Sequence, residues 1–262
     1  MPHYEISVSH SLNTNRLSII TFGFLKVPFC FYSNSKYSST MDTSDIEVMS
    51  QWFELCYDTG IQLEPATEMG QRIVNAYCGL QRHYHTLEHI NHCLSVFDQI
   101  PDEIEDHNEL RFAIWFHDFV YNPKSETNED ESAEIAFNWL QNLGVANPDL
   151  VRGLIQSTEN YLQQPREGFT YRIMHDIDLA ILGSEEIIYI QYENGIRAEF
   201  NHLTDREFFP AREEFLRNIL ERQPLFTLDI FVLQWEEKAR QNIEKELERI
   251  KRVRILFPPI GE

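Results

Sequence analysis

Four histidines, His83, His85, His89 and His92, fall within ten residues, and two His-Asp dipeptides follow at His117-Asp118 and His175-Asp176. Imidazole nitrogens and carboxylate oxygens are donors for a divalent cation, and imidazole also carries protons near neutral pH. On a helix that opens near Thr86, His89 and His92 stand one turn apart with His85 just ahead of the start. The three form a stripe offset from the apolar stripe of Leu87, Ile90, Leu94 and Phe97, which must face the core. A solvated face that happens to be rich in histidine is the bland alternative. The run Ile114-Trp115-Phe116-His117-Asp118-Phe119-Val120 sets a His-Asp pair inside an otherwise apolar helix. Burying such a pair is costly unless it is ion-paired, hydrogen-bonded or bound to a metal. The competing account is that Asp118 holds a histidine or caps a neighbouring turn. Acids are embedded again in Met174-His175-Asp176-Ile177-Asp178-Leu179, where Asp176 and Asp178 cannot face the same way. One of them enters a site and the other meets solvent or a structural partner.

The elements that must position these groups read as helices, with apolar residues at three-and-four spacing and stops at Gly, Pro or Asn. Ser44 opens the first, which stops near Gly60, and the second covers about 65–77. Thr86 opens the third, 108–120 is the fourth, and 129–143 is the fifth, with Ala133, Ala136, Leu140 and Leu143 inward and Gly144 ending it. Asn147 and Pro148 cap and start the sixth. The seventh spans 171–182 and ends at Gly183, Ser184 starts the eighth, Thr204 and Glu207 make a capping box for the ninth, and Thr227 begins a long last helix. No strand alternation competes, no repeat or long linker divides the chain, and the expected fold is all-α in one domain over 42–262.

The 262 residues are 42% hydrophobic and 13% aromatic, enough for one sizeable core. Lys and Arg number 22 against 42 Asp and Glu, a net charge of -20, which disfavours a nucleic-acid polymer or an anionic membrane as partner. The four cysteines form no Cys-x-x-Cys pair, which favours a reducing compartment, and no apolar run reaches the length of a membrane span. A soluble, cytoplasmic protein is expected. Residues 1–41 differ: Arg16, Lys26 and Lys36 against Glu5 make the first forty net +2, leaving -22 on the rest. They show no sustained period, so no regular element is assigned, and they read as a loose leader, a targeting segment or an extension ahead of a start at Met41.

The ordered set of a histidine, His117-Asp118 and an aspartate some sixty residues on resembles the HD superfamily of metal-dependent phosphohydrolases. More closely, Arg82-His83-Tyr84-His85-Thr86-Leu87-Glu88-His89-Ile90, Trp115-Phe116-His117-Asp118, Asn128-Glu129 with Ser132-Ala133, Asp176-Ile177-Asp178-Leu179-Ala180-Ile181-Leu182-Gly183 and Ile196-Arg197-Ala198-Glu199-Phe200 are similar to the bacterial group of predicted metal-dependent HD phosphohydrolases. The resemblance covers about residues 45–250 and fixes fold better than substrate. It implies an HD-domain helical bundle whose metal ligands fall on His89, His117, Asp118 and Asp178. His85 and His89 both lie in the matching segment; His89 is preferred because Ile-x-x-Cys-Leu follows it, as after the superfamily's first ligand. Asp178 is preferred to Asp176 because a Leu-containing helical continuation follows. The Tyr84-His85-x-x-x-His89 spacing is also similar to that of cyclic-nucleotide phosphodiesterases, where the earlier histidine donates a proton and the later one binds metal. His175 is the only histidine between the His-Asp pair and the last aspartate, which implies a mononuclear site.

What the resemblance implies chemically is a phosphomonoesterase or phosphodiesterase that acts on a small phosphorylated metabolite or nucleotide through metal-activated water, with Mn, Mg, Fe, Ni or Zn as the ion. His85, Asp118 and Glu129 are the candidate catalytic groups, Glu129 orienting water or merely starting its helix. Arg82, Lys124 and Arg197 are the candidate phosphate binders, the alternative for each being an ordinary surface or salt-bridge cation. Two alternatives stay open: a metal- or nucleotide-binding module without turnover, and an iron-dependent oxygenase on the same ligand framework.

Overall fold

The computed structural model describes residues 17–22, 25–30, 43–100, 104–161 and 166–256. Two compact units divide the chain, Met1–Met41 and Asp42–Glu262.

The first unit departs from the expectation of no regular element. Strand β1, Leu17–Phe22, pairs antiparallel with β2, Leu25–Cys30, in a register that sets Leu17 opposite Cys30 and Phe22 opposite Leu25. The β-branched residues Ile19, Ile20, Thr21 and Val27 favour extended backbone, but the segment carries no polar-apolar alternation to announce it. The rest of the leader lies outside the described residues.

The second unit is all-α. Among the described residues it contains ten α-helices: α1 Thr43–Asp58, α2 Leu63–Tyr77, α3 Leu87–Phe97, α4 His107–Phe116, α5 Asn128–Leu143, α6 Pro148–Gln156, α7 Phe169–Leu179, α8 Glu186–Glu199, α9 Asp205–Glu221 and α10 Asp229–Leu256. None is long and apolar enough to cross a membrane. Local sequence sets several ends. Asn147 accepts the Leu150 N–H to cap α6, Glu207 closes a capping box with Thr204 at α9, and Gly144 ends α5 at φ 65°.

Helix α4 is the structural centre. Leu110 and every residue from Phe112 to Phe116 are fully buried, as expected of a helix apolar on all sides. Trp52 of α1 meets Phe112, Trp115 and Phe116 edge-on, with ring centroids 5.6–6.3 Å apart, and its indole N–H donates to the Ala66 carbonyl of α2 at 2.9 Å. The Tyr77 hydroxyl donates to the Trp115 carbonyl at 3.0 Å and ties α2 to the same helix. In α3 the stripe of Leu87, Ile90, Leu94 and Phe97 is buried as expected. Helix α4 packs against α3, α5, α6 and α7, so its C-terminal end lies where α3 and α7 can also contribute.

Two helix ends differ from the sequence reading, and both bear on the site. The α-geometry of α4 stops at Phe116 rather than 120, so His117 and Asp118 lie on the turn beyond it. The chain there closes tighter, the Phe119 N–H donating to the Phe116 carbonyl at 3.0 Å. Helix α7 stops at Leu179 and continues as a 3₁₀ turn, Ala180–Gly183, packed on α10. A Cβ on Gly183 would lie 2.5 Å from the Trp235 Cβ and 2.9 Å from its carbonyl oxygen. We expect Gly183→Ala to destabilise the fold by about 1–3 kcal/mol through overpacking. A urea midpoint equal to that of the parent would contradict this close approach.

Candidate metal centre

Helix α3 supplies His89, the turn after α4 supplies His117 and Asp118, and the last turn of α7 supplies Asp178. Both imidazoles are buried, while the two carboxylate side chains keep 13% and 14% exposure, so the cluster has one open side. The two Nε2 atoms lie 3.0 Å apart. Asp178 Oδ1 is 3.3 Å from His89 Nε2 and 3.6 Å from His117 Nε2. Asp118 Oδ2 is 3.1 Å from His117 Nε2 and 3.5 Å from His89 Nε2. His89, His117 and Asp178 thus form a group that can hold a metal ion.

The chemistry of this donor set fits a cation. Donors at about 2.1 Å from one ion in adjacent octahedral positions are about 3.0 Å apart, and tetrahedral donors about 3.4 Å apart, the range observed here. His117 Nδ1 lies 2.8 Å from the Ile114 carbonyl, so it carries the ring proton and leaves a lone pair on Nε2. Charge agrees with geometry. Among the described residues no lysine or arginine forms an ion pair with Asp118 or Asp178, so the charge of the two carboxylates is left to the histidine rings or to a bound cation. Burial lowers the His117 imidazole, but the charges of Asp118 and Asp178 overcome it and hold it well above its ordinary value. The same interplay holds both carboxyls well below theirs: burial raises each, and the His117 charge outweighs it. The pocket therefore favours positive charge between the rings. A proton shared between the two Nε2 atoms at 3.0 Å supplies one such charge, and a divalent cation on both lone pairs would supply two.

Asp176 and Asp178 part as two residues on one helix two positions apart must. Asp178 enters the cluster, and the Tyr161 hydroxyl donates to its second oxygen. Asp176, fully buried, accepts the Thr227 and Leu228 N–H groups at 2.8–3.0 Å and the Thr227 hydroxyl at 3.1 Å, holding the entry to α10. His175 lies between Asp176 and Arg222, 3.0 Å from each, and takes no part in the cluster. We expect Asp176→Ala to cost about 2 kcal/mol by orphaning these donors while leaving bound metal unchanged. Metal loss in that variant without a drop in stability would show that the two aspartates have been assigned in the wrong order.

The segments flanking the ligands are braced. Arg82, buried, donates to the His85 carbonyl at 3.0 Å and the Phe119 carbonyl at 2.9 Å, linking the loop before α3 to the turn after α4. Asn128 accepts the Asn122 N–H and donates to its carbonyl, and Ser132 accepts the Val120 N–H at 2.9 Å. These side chains of α5 pin the loop that carries His117-Asp118. Of the expected phosphate binders, Arg82 is thus committed to backbone, and Arg197 to Asp205 and the carbonyls of Phe200 and Leu203. Lys124 is exposed on the loop before α5. The structure brings none of the three into contact with the cluster.

His85 stands at the open side, its Nε2 4.0 Å from Asp118 Oδ2 and its Nδ1 2.6 Å from Glu199 Oε2. Glu129 is half-buried in the first turn of α5; burial raises its carboxyl, its own N–H lowers it, and the negative charge of Asp118 raises it further. His92 does not join His89 in the cluster: its Nε2 is buried without a partner, and burial, then the His89 charge, lower it to about 4, so it stays neutral. Sequence reasoning missed two residues. Tyr161 carries no signal, being one tyrosine in a loop. Glu199 lay in a segment already singled out, and its signal was a glutamate at a buried position of α8 one turn after Gly195.

No family model, curated protein or solved structure matches the chain. The helical arrangement with a His/His/Asp cluster is consistent with an HD-type fold.

Proposed function

We propose that the protein is a divalent-metal phosphohydrolase acting on a small phosphorylated metabolite or nucleotide. The observation that carries this reading is the convergence of His89 Nε2, His117 Nε2 and Asp178 Oδ1 at 3.0–3.6 Å, with Asp118 Oδ2 3.1 Å and 3.5 Å from the two rings and a third imidazole, His85, on the open side. A bound divalent ion would supply a Lewis acid for the phosphoryl oxygens and acidify water for attack. The chain's own residues do the rest. Asp118 and Asp178 hold their charge at neutral pH and fix the ion's place, and Tyr161 fixes the orientation of Asp178. His85 faces the same space through Nε2 and is placed to give a proton to a leaving oxygen, a role worth typically about 10²–10⁴-fold.

One observation favours a second reading, a metal- or nucleotide-binding module without turnover: Arg82 and Arg197 hold backbone carbonyls instead of facing a phosphate. The deciding experiment is elemental analysis with a panel of phosphomonoesters and phosphodiesters, run on the parent and on Asp118→Ala with Mn²⁺, Mg²⁺, Fe²⁺, Ni²⁺ or Zn²⁺ supplied. Phosphate release that disappears in Asp118→Ala is the expected result. Bound metal with no hydrolysis would favour the module, and dioxygen consumption with tightly held iron would move the reading to oxygen chemistry.

A further inference from the structure

Glu199, in the last turn of α8, is the most densely engaged carboxylate near the cluster, and the reading above gives it no role. Its side chain is fully buried. Oε1 accepts three consecutive backbone N–H groups, from His83 at 2.8 Å, Tyr84 at 2.8 Å and His85 at 3.0 Å. Oε2 accepts the Tyr121 hydroxyl at 2.8 Å and lies 2.6 Å from His85 Nδ1. One turn earlier, Gly195 lets α8 lie against the same loop, since a Cβ there would come within 2.9 Å of the Tyr84 Cβ and 3.0 Å of the His83 carbonyl oxygen. Tyr121 covers the His85 ring, with centroids 4.3 Å apart. The loop and its imidazole are thus held from two sides.

We propose that Glu199 is a positioning residue that fixes the tautomer of His85, and through it the atom at which protons are exchanged with substrate. An oxygen of a carboxylate can only accept, so at 2.6 Å His85 Nδ1 must carry the proton. The neutral ring then has its lone pair on Nε2, the nitrogen that faces Asp118 across 4.0 Å at the open side. This part stands on geometry alone; its use in catalysis rests on the phosphohydrolase reading. In that reaction the Nε2 proton of the charged ring passes to the leaving oxygen as the P–O bond breaks with its electron pair moving to that oxygen. Water supplies OH to phosphorus and its remaining proton to solvent, and Nε2 then regains a proton from solvent. The Nδ1 proton stays with Glu199 throughout.

Glutamine at 199 tests this, because an amide cannot accept on both atoms. If its oxygen faces the three N–H groups, its NH₂ faces His85 Nδ1 and donates to it, which moves the ring proton to Nε2. The experiment is long-range ¹H–¹⁵N correlation on the full chain labelled at histidine nitrogen and loaded with Zn²⁺, with His85 assigned by its loss in His85→Gln. The expected result is a protonated Nδ1 and an unprotonated Nε2 in the parent's neutral ring, the reverse in Glu199→Gln, and the parent's pattern kept in Tyr121→Phe. A neutral parent His85 ring protonated at Nε2 instead of Nδ1 overturns the proposal, and this measurement needs no variant of Glu199 to fold. In the activity assay Glu199→Gln is expected to lower kcat about 10–100-fold with metal content unchanged. Hydrolysis in the parent with an equal kcat in Glu199→Gln overturns the positioning role and leaves the function reading intact. A parent that does not hydrolyse but shows the expected tautomer overturns that reading and supports the tautomer assignment.

Discussion

Asp178→Asn is expected to release the bound metal on dialysis and to reduce phosphoester hydrolysis by about 10³-fold or more. The substitution keeps the shape of the side chain and its place at the end of α7, so a change reports charge rather than packing. Asp178 Oδ1 lies 3.3 Å from His89 Nε2, against 3.5 Å for Asp118 Oδ2. Removing one of two negative charges from a buried cation site forfeits several kcal/mol of attraction, and each 1.4 kcal/mol is about tenfold in rate or affinity. The check is metal per chain by elemental analysis together with kcat/KM on the best ester of the panel. Asp176→Asn is the control, since that carboxylate holds the entry to α10 and faces away from the cluster. Full metal content in Asp178→Asn, or equal loss in both variants, would contradict the assignment.

Glu246→Ala is expected to be the most destabilising substitution away from the cluster, by about 3–5 kcal/mol. Glu246 of α10 receives the Arg212 guanidinium of α9 on both oxygens, at 2.8 Å and 3.2 Å, and the Tyr189 hydroxyl of α8 at 2.6 Å. Arg212 also donates to the Tyr192 hydroxyl at 2.9 Å. Both charged side chains are buried, so removing the carboxylate leaves a guanidinium with no anion to meet its charge in the interior. The double variant Glu246→Leu with Arg212→Met should recover much of that loss, because replacing both partners by apolar groups removes the orphaned charge. Urea unfolding of the two variants beside the parent reads both effects; a loss under 1 kcal/mol in Glu246→Ala would show that the pair is solvated. The network also reaches the site. The Tyr192 ring packs edge-on against Tyr84 at 4.7 Å, and Tyr84 packs on His89 at 4.8 Å, so loosening α9 and α10 should weaken metal retention as well.

The helices were legible because their signals are local. Apolar spacing, the Asn147 cap, the Thr204 and Glu207 box and Gly144 each act within one or two turns, and the structure keeps all of them. His89, His117 and Asp178 were legible as polar groups set in apolar runs, where burial demands a reason. The end of α4 was not. Nothing in Phe116-His117-Asp118-Phe119 breaks a helix by propensity, and the turn there is held from outside, by Arg82 on the Phe119 carbonyl and Ser132 on Val120. His117 itself keeps helical dihedrals, and the two adjacent side chains still reach one point, Asp118 Oδ2 lying 3.1 Å from His117 Nε2. Arg82 and Arg197 look like anion binders in sequence because a guanidinium that braces two loops and one that grips a phosphate are the same residue type. Glu199 was hidden for the same reason: its partners lie more than a hundred positions away, at His83, Tyr84 and His85.

The central claim is that imidazoles from α3 and the turn after α4, and carboxylates from that turn and α7, share one cation. Anomalous diffraction from crystals of the parent grown with Mn²⁺ tests it most directly. The account predicts one strong peak within bonding distance of His89 Nε2, His117 Nε2, Asp118 and Asp178. A peak elsewhere, or crystals with Mn²⁺ in the solvent and the two rings still joined directly through their Nε2 atoms, would contradict it.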